Sequence, residues 1–454
     1  PNYKLKKSTR LSEINGTAHE LLHKKSGAKI LFLENDDIDK SFSISFKTPP
    51  TDDTGVFHIL EHTVLNGSRK FPVKEPFVNL LKTSMKTFLN AMTFSDKTMF
   101  PVSSTNDKDL MNLVDVYMDA VLNPLIYVNP DIFKQEAWHY ENDNGKAAYS
   151  GVVYNEMQGV YADLESHLYY EATKLLYPKS FYSYECGGYP SAIPELSYEK
   201  FLETHAKYYR LDNSYIIIYG NVDINKMLSF LDQKYLSKEE ERQDDIETYL
   251  NTKIDKNIDI QVDKVSSPVF TSTEQVFPKN MQGYAIEYST NTENDPVKST
   301  AAQILIDVLA GSNESPLKRE LLKHNLAEDI SFQFLESMKE PLIFCYFMST
   351  ANIEVQKTYE LIKDISKKIA EGGIDKKLVR ASINRMEFKL REMDFSYPDG
   401  LVHSMNSMLG WLYDDEASLS FIQYNACIKK LKELCETGYF DELCKELFVD
   451  NKAV

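Results

Sequence analysis

The sequence predicts an α+β chain of two structurally similar domains, each a mixed or antiparallel sheet packed with helices. Three observations lead there. At 454 residues the chain exceeds the size at which one hydrophobic core keeps growing. Strand-like and helix-like patterns are mixed without the strict alternation that builds a parallel sheet. A charged stretch near the middle is followed by a pattern that begins again much as the chain itself begins.

In chain order, AKILFLEN (28 to 35) and SFSISFKT (41 to 48) alternate as strands, with Phe42, Ile44 and Phe46 on one face. TGVFHILEHTVLNGS (54 to 68) is predicted helical, with Val56, Ile59, Leu60 and Val64 to bury. TFLNAMTFSDKTMFPVSS (87 to 104) reads as a hairpin turning at Ser95, Asp96 and Lys97, and Pro101, which lacks a backbone donor, places its second arm near an edge. NDKDLMNLVDVYMDAVLNPL (106 to 125) is a helix capped by Asn106 or Asp107, with Leu110, Leu113, Val114, Tyr117 and Val121 at helical spacing. A long helical pattern runs from about 150 to 177, and NSYIIIYGNVD (213 to 223) is a strand entering a glycine turn. Residues 236 to 262 are mostly charged or polar and are expected to connect a domain at 1 to 235 with another at 263 to 454.

After that connection, MQGYAIEYS (281 to 289) and PLIFCYFMST (341 to 350) read as strands and 299 to 323 as helices. Sliding HILEHTVLNGS over AQILIDVLAGS pairs Gly67 with Gly311 and Ser68 with Ser312; His58, Glu61 and His62 then fall on Ala302, Leu305 and Ile306. The polar triplet is therefore not something such a domain needs for packing.

Composition narrows the function classes. A net charge of -17 argues against nucleic acid or an anionic membrane surface as partner and suits basic or neutral ligands. Five cysteines, an odd count without a close CxxC pair, fit free thiols in a reducing compartment. The first 35 residues show no apolar core of a signal peptide, and no run of 18 apolar residues follows, so a cytoplasmic location is expected.

On a helix, positions i, i+3 and i+4 share a face, so His58, Glu61 and His62 are neighbours. Two imidazoles one turn apart can reach one Zn²⁺, and the carboxylate between them can take a proton from a water held there. HxxEH inverts HExxH and keeps the base beside the ligands. With nine histidines in the chain, the pattern arises by chance with a probability of roughly two in a hundred, so polar residues on a half-exposed helix are a rival account. A catalytic zinc also needs a third protein ligand. Glu156 is suited, having Gly151 and Gly159 nearby, but the residues alone do not select it over Glu136 or Glu165.

Five blocks in order, DDTGVFHILEHTVLNGSRKFPVKEPF (52 to 77), FLNAMTFSDKTMFPVSSTNDKDLMNLVDVYMDAVLNPL (88 to 125), FKQEAWHYE (133 to 141), GVVYNEMQGVY (151 to 161) and GGYPSAIPELSYEKFLETHAKYYRLDNSYIIIYGN (187 to 221), resemble the presequence-protease branch of the insulinase and pitrilysin metallopeptidases. The resemblance covers nearly the whole chain and implies that His58 and His62 are zinc ligands, Glu61 the general base, Glu156 the third ligand, and Glu136 an acid orienting a ligand or the metal's water. A surface carboxylate is the rival account of Glu136, and His139 stands where this family often has Arg. FLNAMTF resembles the edge strand that takes a peptide as an extra strand, which points to Asn90 and Ala91 as substrate contacts; an ordinary inward-packed hairpin is the alternative.

The family's longer members close two such halves, joined by a hinge, around a chamber. This chain resembles the first half, so it is expected to be either a fragment of a longer enzyme or a half-length subunit that pairs with another chain. The implied activity is zinc-dependent endopeptidase cleavage of unstructured, preferentially basic peptides. Two other readings are a non-catalytic peptide-binding half and a structural zinc site; the intact HxxEH argues against the first, and the absence of cysteines near the motif against the second.

Overall fold

The computed structural model describes residues 2–73, 82–272, 282–292, 294–349 and 354–454, so the KEPF end of the first block, Met281 and Thr350 lie outside the described residues. The chain divides into two units that interleave in sequence: Pro1–Gln158, Glu185–Ile260 and Phe395–Asn406 form one, and Gly159–Tyr184, Gln261–Asp394 and Ser407–Val454 the other.

The first unit contains strands β1 (Tyr3–Leu11), β2 (Gly16–His23), β3 (Lys29–Glu34) and β4 (Lys40–Lys47), then helix α1 (Val56–Val64) and strands β5 (Lys86–Leu89), β6 (Met92–Thr93) and β7 (Lys97–Ser104). Helices α2 (Asp107–Leu122) and α3 (Pro130–Glu136), the hairpin β8 (His139–Asp143) and β9 (Lys146–Ser150), and helix α4 (Val152–Val160) follow. Helix α5 (Leu164–Leu176) belongs to the second unit, and the first resumes with α6 (Tyr198–Tyr208), β10 (Ser214–Gly220), α7 (Ile224–Lys234) and α8 (Glu239–Leu250).

The main sheet runs β1-β2-β3-β10-β4-β7-β5, with β6 also pairing β7; among the described residues only β10 and β3 pair in parallel. Phe42, Ile44 and Phe46 of β4 are fully buried, and so are Ser41, Ser43 and Ser45 on the other face. Gly400 lies so close to Ser41 that a Cβ there would clash with its hydroxyl, so the helix Asp399–Trp411 begins directly on the serine face. Phe46 stacks on Tyr209 at 4.7 Å between ring centroids, in a core shared with Phe100.

Pro101 lies near an edge, one strand in from the end of the sheet among the described residues. Strand β7 lies between β4 and β5, with Pro101 opposite Ser43. The main-chain oxygen of Pro101 accepts from the N–H of Asn90, so its ring nitrogen faces the same side, where pairing is interrupted between Leu89 of β5 and Met92 of β6. The missing donor falls on that interruption, which is how an interior strand tolerates proline.

The pattern at 150 to 177 is two helices. Asp163 caps the second, its side chain accepting from the N–H of Ser166. Asn106 caps α2, accepting from the N–H of Asp109. Part of the expected connection, 236 to 262, is also helical. In α8, Arg242 is buried and donates to the main-chain oxygen of Tyr209 and to Glu239, while Ile246 packs with Ala206 and Ile254. A charged composition concealed this because the buried charges are paired with each other.

In the second unit, β11 (Gln282–Ser289), helices α9 (Pro296–Ala310) and α10 (Pro316–Leu322), β12 (Asp329–Leu335), β13 (Leu342–Ser349) and α11 (Val355–Gly372) form a three-stranded antiparallel sheet in the order β11-β13-β12 with helices packed on it. The first unit repeats this topology: β4, α1, β5 and β7, with the last strand inserted as β4-β7-β5 and followed by helix α2. Ala302, Leu305 and Ile306, the counterparts of His58, Glu61 and His62, are buried among apolar neighbours. Among the described residues, no helix is long and apolar enough to cross a membrane.

Candidate metal centre

Helix α1 spans only nine residues, and its apolar side is spent on the core: Ile59, Leu60 and Val64 are fully buried, and Phe57 meets Tyr208 edge-on at 4.8 Å. His58, Glu61 and His62 lie on its remaining face. The helix starts at Gly55, whose φ of 67° is left-handed and whose Cα leaves no room for a side chain: a Cβ would stand 2.5 Å from the main-chain oxygen of Gly187 and from Cα of Gly188. That close approach brings the Gly187 oxygen 3.0 Å from Nδ1 of His58.

A carbonyl oxygen only accepts, so His58 carries its proton on Nδ1 and turns the lone pair of Nε2 outward. His62 is arranged likewise, its Nδ1 donating to Oε2 of Glu136 at 3.2 Å. Both Nε2 atoms face Oε2 of Glu156, each at 3.7 Å, and the two rings meet edge-on with centroids 4.9 Å apart. A separation of 3.7 Å is too long for a hydrogen bond. It is close to the edge of a tetrahedron with bonds of about 2.0 to 2.2 Å, roughly 3.4 Å. Among the described residues, His58, His62 and Glu156 are the group of three whose ligand atoms all lie within 4.8 Å of one another. Two imidazole nitrogens, one carboxylate oxygen and both Nδ1 protons tied down fit a zinc ion with a position left open.

Charge in the site points the same way. Burial works against a charged His62, but the Glu136 hydrogen bond and the charges of Glu61, Glu136 and Glu156 outweigh it, and its pKa is raised. Glu136 is itself buried, which would favour its neutral form; hydrogen bonds from His62, Asn66 and Gln135 and the charge of His62 reverse that and hold its carboxyl below the usual range. Asn66 donates to its Oε1 at 2.7 Å and Gln135 to the same atom at 3.0 Å.

Glu61 accepts from the hydroxyl of Thr93 on β6 at 2.7 Å. This places the base beside the rim of the sheet, where β5 ends the strand order among the described residues. Asn90, between β5 and β6, is exposed, but its N–H donates to Pro101 and its C=O accepts from Tyr117, while the Ala91 side chain is buried. What Asn90 presents outward is its side chain. His139 donates from Nδ1 to the main-chain oxygen of Lys134 at 2.8 Å.

Four partners of the site were not singled out by sequence reasoning: the Gly187 oxygen, Asn66, Gln135 and Thr93. Asn66 follows His62 by four residues and Gln135 adjoins Glu136, so local spacing held a signal for these two. Gly187 and Thr93 arrive through tertiary contacts, and no spacing announces them.

Residues 48–156 match the model for Insulinase (Peptidase family M16), and 195–386 match the model for the Peptidase M16 inactive domain. The chain belongs to the insulinase family. It is 40% identical over 453 residues to Protein HypA of Clostridium perfringens, covering 99% of this chain and 46% of that protein. Against presequence protease 1, chloroplastic/mitochondrial, of Arabidopsis thaliana it is 38% identical over 457 residues, 97% of this chain and 41% of the relative. The chain thus spans less than half the length of these relatives. Two solved structures share its fold: a protease from Helicobacter pylori, with a TM-score of 0.68 at 14% identity over 96% of this chain and 98% of that one, and pitrilysin, with 0.59 at 14% over 97% and 46%. The match to presequence protease 1 agrees with the branch that the five sequence blocks imply. The match to an inactive-domain model over 195–386 agrees with the apolar counterparts of the triplet in the second unit.

Proposed function

We propose that this chain is the metal-bearing half of a zinc-dependent endopeptidase acting on unstructured peptides. The observation that supports it most is the convergence of both Nε2 atoms on one Glu156 oxygen with both Nδ1 atoms already engaged. His58, His62 and Glu156 would hold the ion, which when bound supplies Lewis acidity to a carbonyl and acidifies a water. Glu61 lies on the same helix face as the two histidines, with one oxygen held by Thr93, and the other is left to accept the proton of the attacking water and pass it to the leaving amine. Glu136 keeps His62 in the tautomer that presents Nε2.

Several finer points belong to the same reading. The rim at β5 and β6 would receive the peptide as an added strand, with the Asn90 side chain beside it. The net charge favours basic peptides. The five free cysteines suit a reducing, cytoplasmic setting. A second half, from a longer chain or a partner subunit, would complete the chamber, in keeping with relatives more than twice as long.

Metal analysis of two variants tests the assignment. His62→Ala should lose most of one zinc per chain, because two remaining ligands compete poorly with buffer and water. Glu61→Gln should keep the zinc while turnover of the complete enzyme falls about 10² to 10⁴-fold. Full zinc in His62→Ala, or near-normal turnover per metal in Glu61→Gln, would overturn the proposal.

A further inference from the structure

Glu136 has two oxygens with divided duties. Its Oε2 accepts from His62, and its Oε1 takes two amide donors at once, from Asn66 at 2.7 Å and Gln135 at 3.0 Å. We propose that Asn66 and Gln135 are paired positioning residues that set the zinc affinity of His62 through Glu136. This rests on the zinc reading above and extends it to two residues that touch neither metal nor substrate.

A carboxylate held by one partner can turn about its terminal bond and offer either oxygen. With Oε1 saturated by two N–H donors from opposite sides in sequence, one after α1 and one within α3, the group is fixed and Oε2 alone remains for His62. The His62 ring is then fixed as well, with its Nε2 lone pair toward Glu156. Amides suit this role for an electrostatic reason. They stabilise the buried carboxylate without bringing a positive charge near a dication, as Lys or Arg would.

The same two side chains line a cavity of about 340 Å³ together with Pro72, Val73, Leu125 and Ile132. Val73, exposed and lining the same cavity, provides a control.

The test is zinc affinity by chelator competition on the whole chain, together with the tautomer of the neutral His62 ring from ¹⁵N shifts in the metal-free protein. Asn66→Leu and Gln135→Met should each weaken zinc several-fold, and the double variant about tenfold or more. In the double variant the His62 ring should show mixed tautomers where the parent shows Nδ1–H. Asn66→Gln should recover part of the affinity, and Val73→Ala should change nothing. Gln135 is exposed, so Gln135→Met remains informative even if Asn66→Leu folds poorly. Affinities within twofold of the parent with an unchanged tautomer, or an equal loss in Val73→Ala, would overturn the inference. The tautomer readout needs no metal, so failure of the zinc reading itself would show separately, as a parent protein that takes up no zinc.

Discussion

The main-chain oxygen of Gly187 receives the Nδ1 proton of His58 at 3.0 Å, and Gly55, at the start of the helix that carries His58, is packed against that same oxygen. One backbone contact thus sets both where α1 begins and which nitrogen of its first histidine is free. The polar triplet on an otherwise buried helix is usable because a distant loop and a distant carboxylate, Glu136, each immobilise one ring.

Replacing Gly55 should therefore damage the metal site without touching a ligand. Gly55→Ala places a Cβ 2.5 Å from the Gly187 oxygen in a left-handed conformation, which costs about 1 to 3 kcal/mol even before the loop shifts. The expected outcome is a lower urea midpoint together with weaker zinc binding. Adding Gly187→Ala should not rescue it, since a Cβ there meets the Met157 side chain at 2.8 Å. Unchanged zinc affinity in a destabilised Gly55→Ala protein would separate the helix start from the tautomer.

How much of this was legible beforehand follows from sequence distance. The α1 triplet could be read because helical periodicity places i, i+3 and i+4 together whatever the rest of the chain does. Glu156 could not be chosen over Glu136 or Glu165 from spacing, because nothing local dictates which later helix returns to α1; the five family blocks chose it. The interleaved units were hidden in the same way. Residues 159 to 184 continue a helical pattern, and only packing assigns α5 to β11 rather than to α4. Pro101 did signal a strand near the edge, but not the interruption beside Asn90 that its missing donor faces.

Acid should destabilise the first unit through two histidines far from the metal. His205 is fully buried, with Nε2 donating to the Val121 oxygen and Nδ1 accepting from Tyr127; burial, aided by the Arg242 charge, lowers its pKa to about 3. Burial lowers that of His403 to about 4, against the opposing charge of Asp37. Below the unfolded value of about 6.5 the unfolded chain takes up protons that the folded chain refuses, so stability is lost as pH falls from there toward 4. The slope should reach roughly 1.4 kcal/mol per pH unit for each histidine. Urea midpoints between pH 7 and pH 4.5 measure it, and His205→Gln, though weaker overall, should flatten the slope by about one proton.

The second unit should respond in the opposite direction. Glu287 of β11 is buried, its Oε1 accepts from Thr173 of α5 at 2.8 Å, and its Oε2 has no partner among the described residues. Burial raises its pKa well above the carboxylate range, only partly offset by the Thr173 hydrogen bond. The folded state keeps a proton that the unfolded state releases above about 4.5, so stability falls as pH rises, by up to about 1.4 kcal/mol per pH unit. Glu287→Gln should remove that dependence whatever it does to the absolute stability. An unaltered slope from pH 5 to pH 8 would mean that the carboxyl ionises freely in the folded chain.

Each unit has its own buried core, so residues 1–454 should fold and bind zinc, yet they should cleave peptides poorly. A peptide laid along the β5 and β6 rim is held at one edge, and displacement of its carbonyl by about 1 Å can already cost roughly 10²-fold in rate. Groups from a second half that would polarise the carbonyl would also be missing, and one such donor is typically worth about 10² to 10³. The measurement is hydrolysis of an unstructured basic peptide by this chain, with and without the remaining length that its relatives carry, and with Glu61→Gln as the background. Strong restoration on adding the second half, dependent on Glu61, is the expected result. Full activity of the chain as a dilute monomer would show that its own rim and Glu61 suffice. Activity that grows with the square of concentration would show instead that two copies close around the peptide, each supplying the clamp the other lacks.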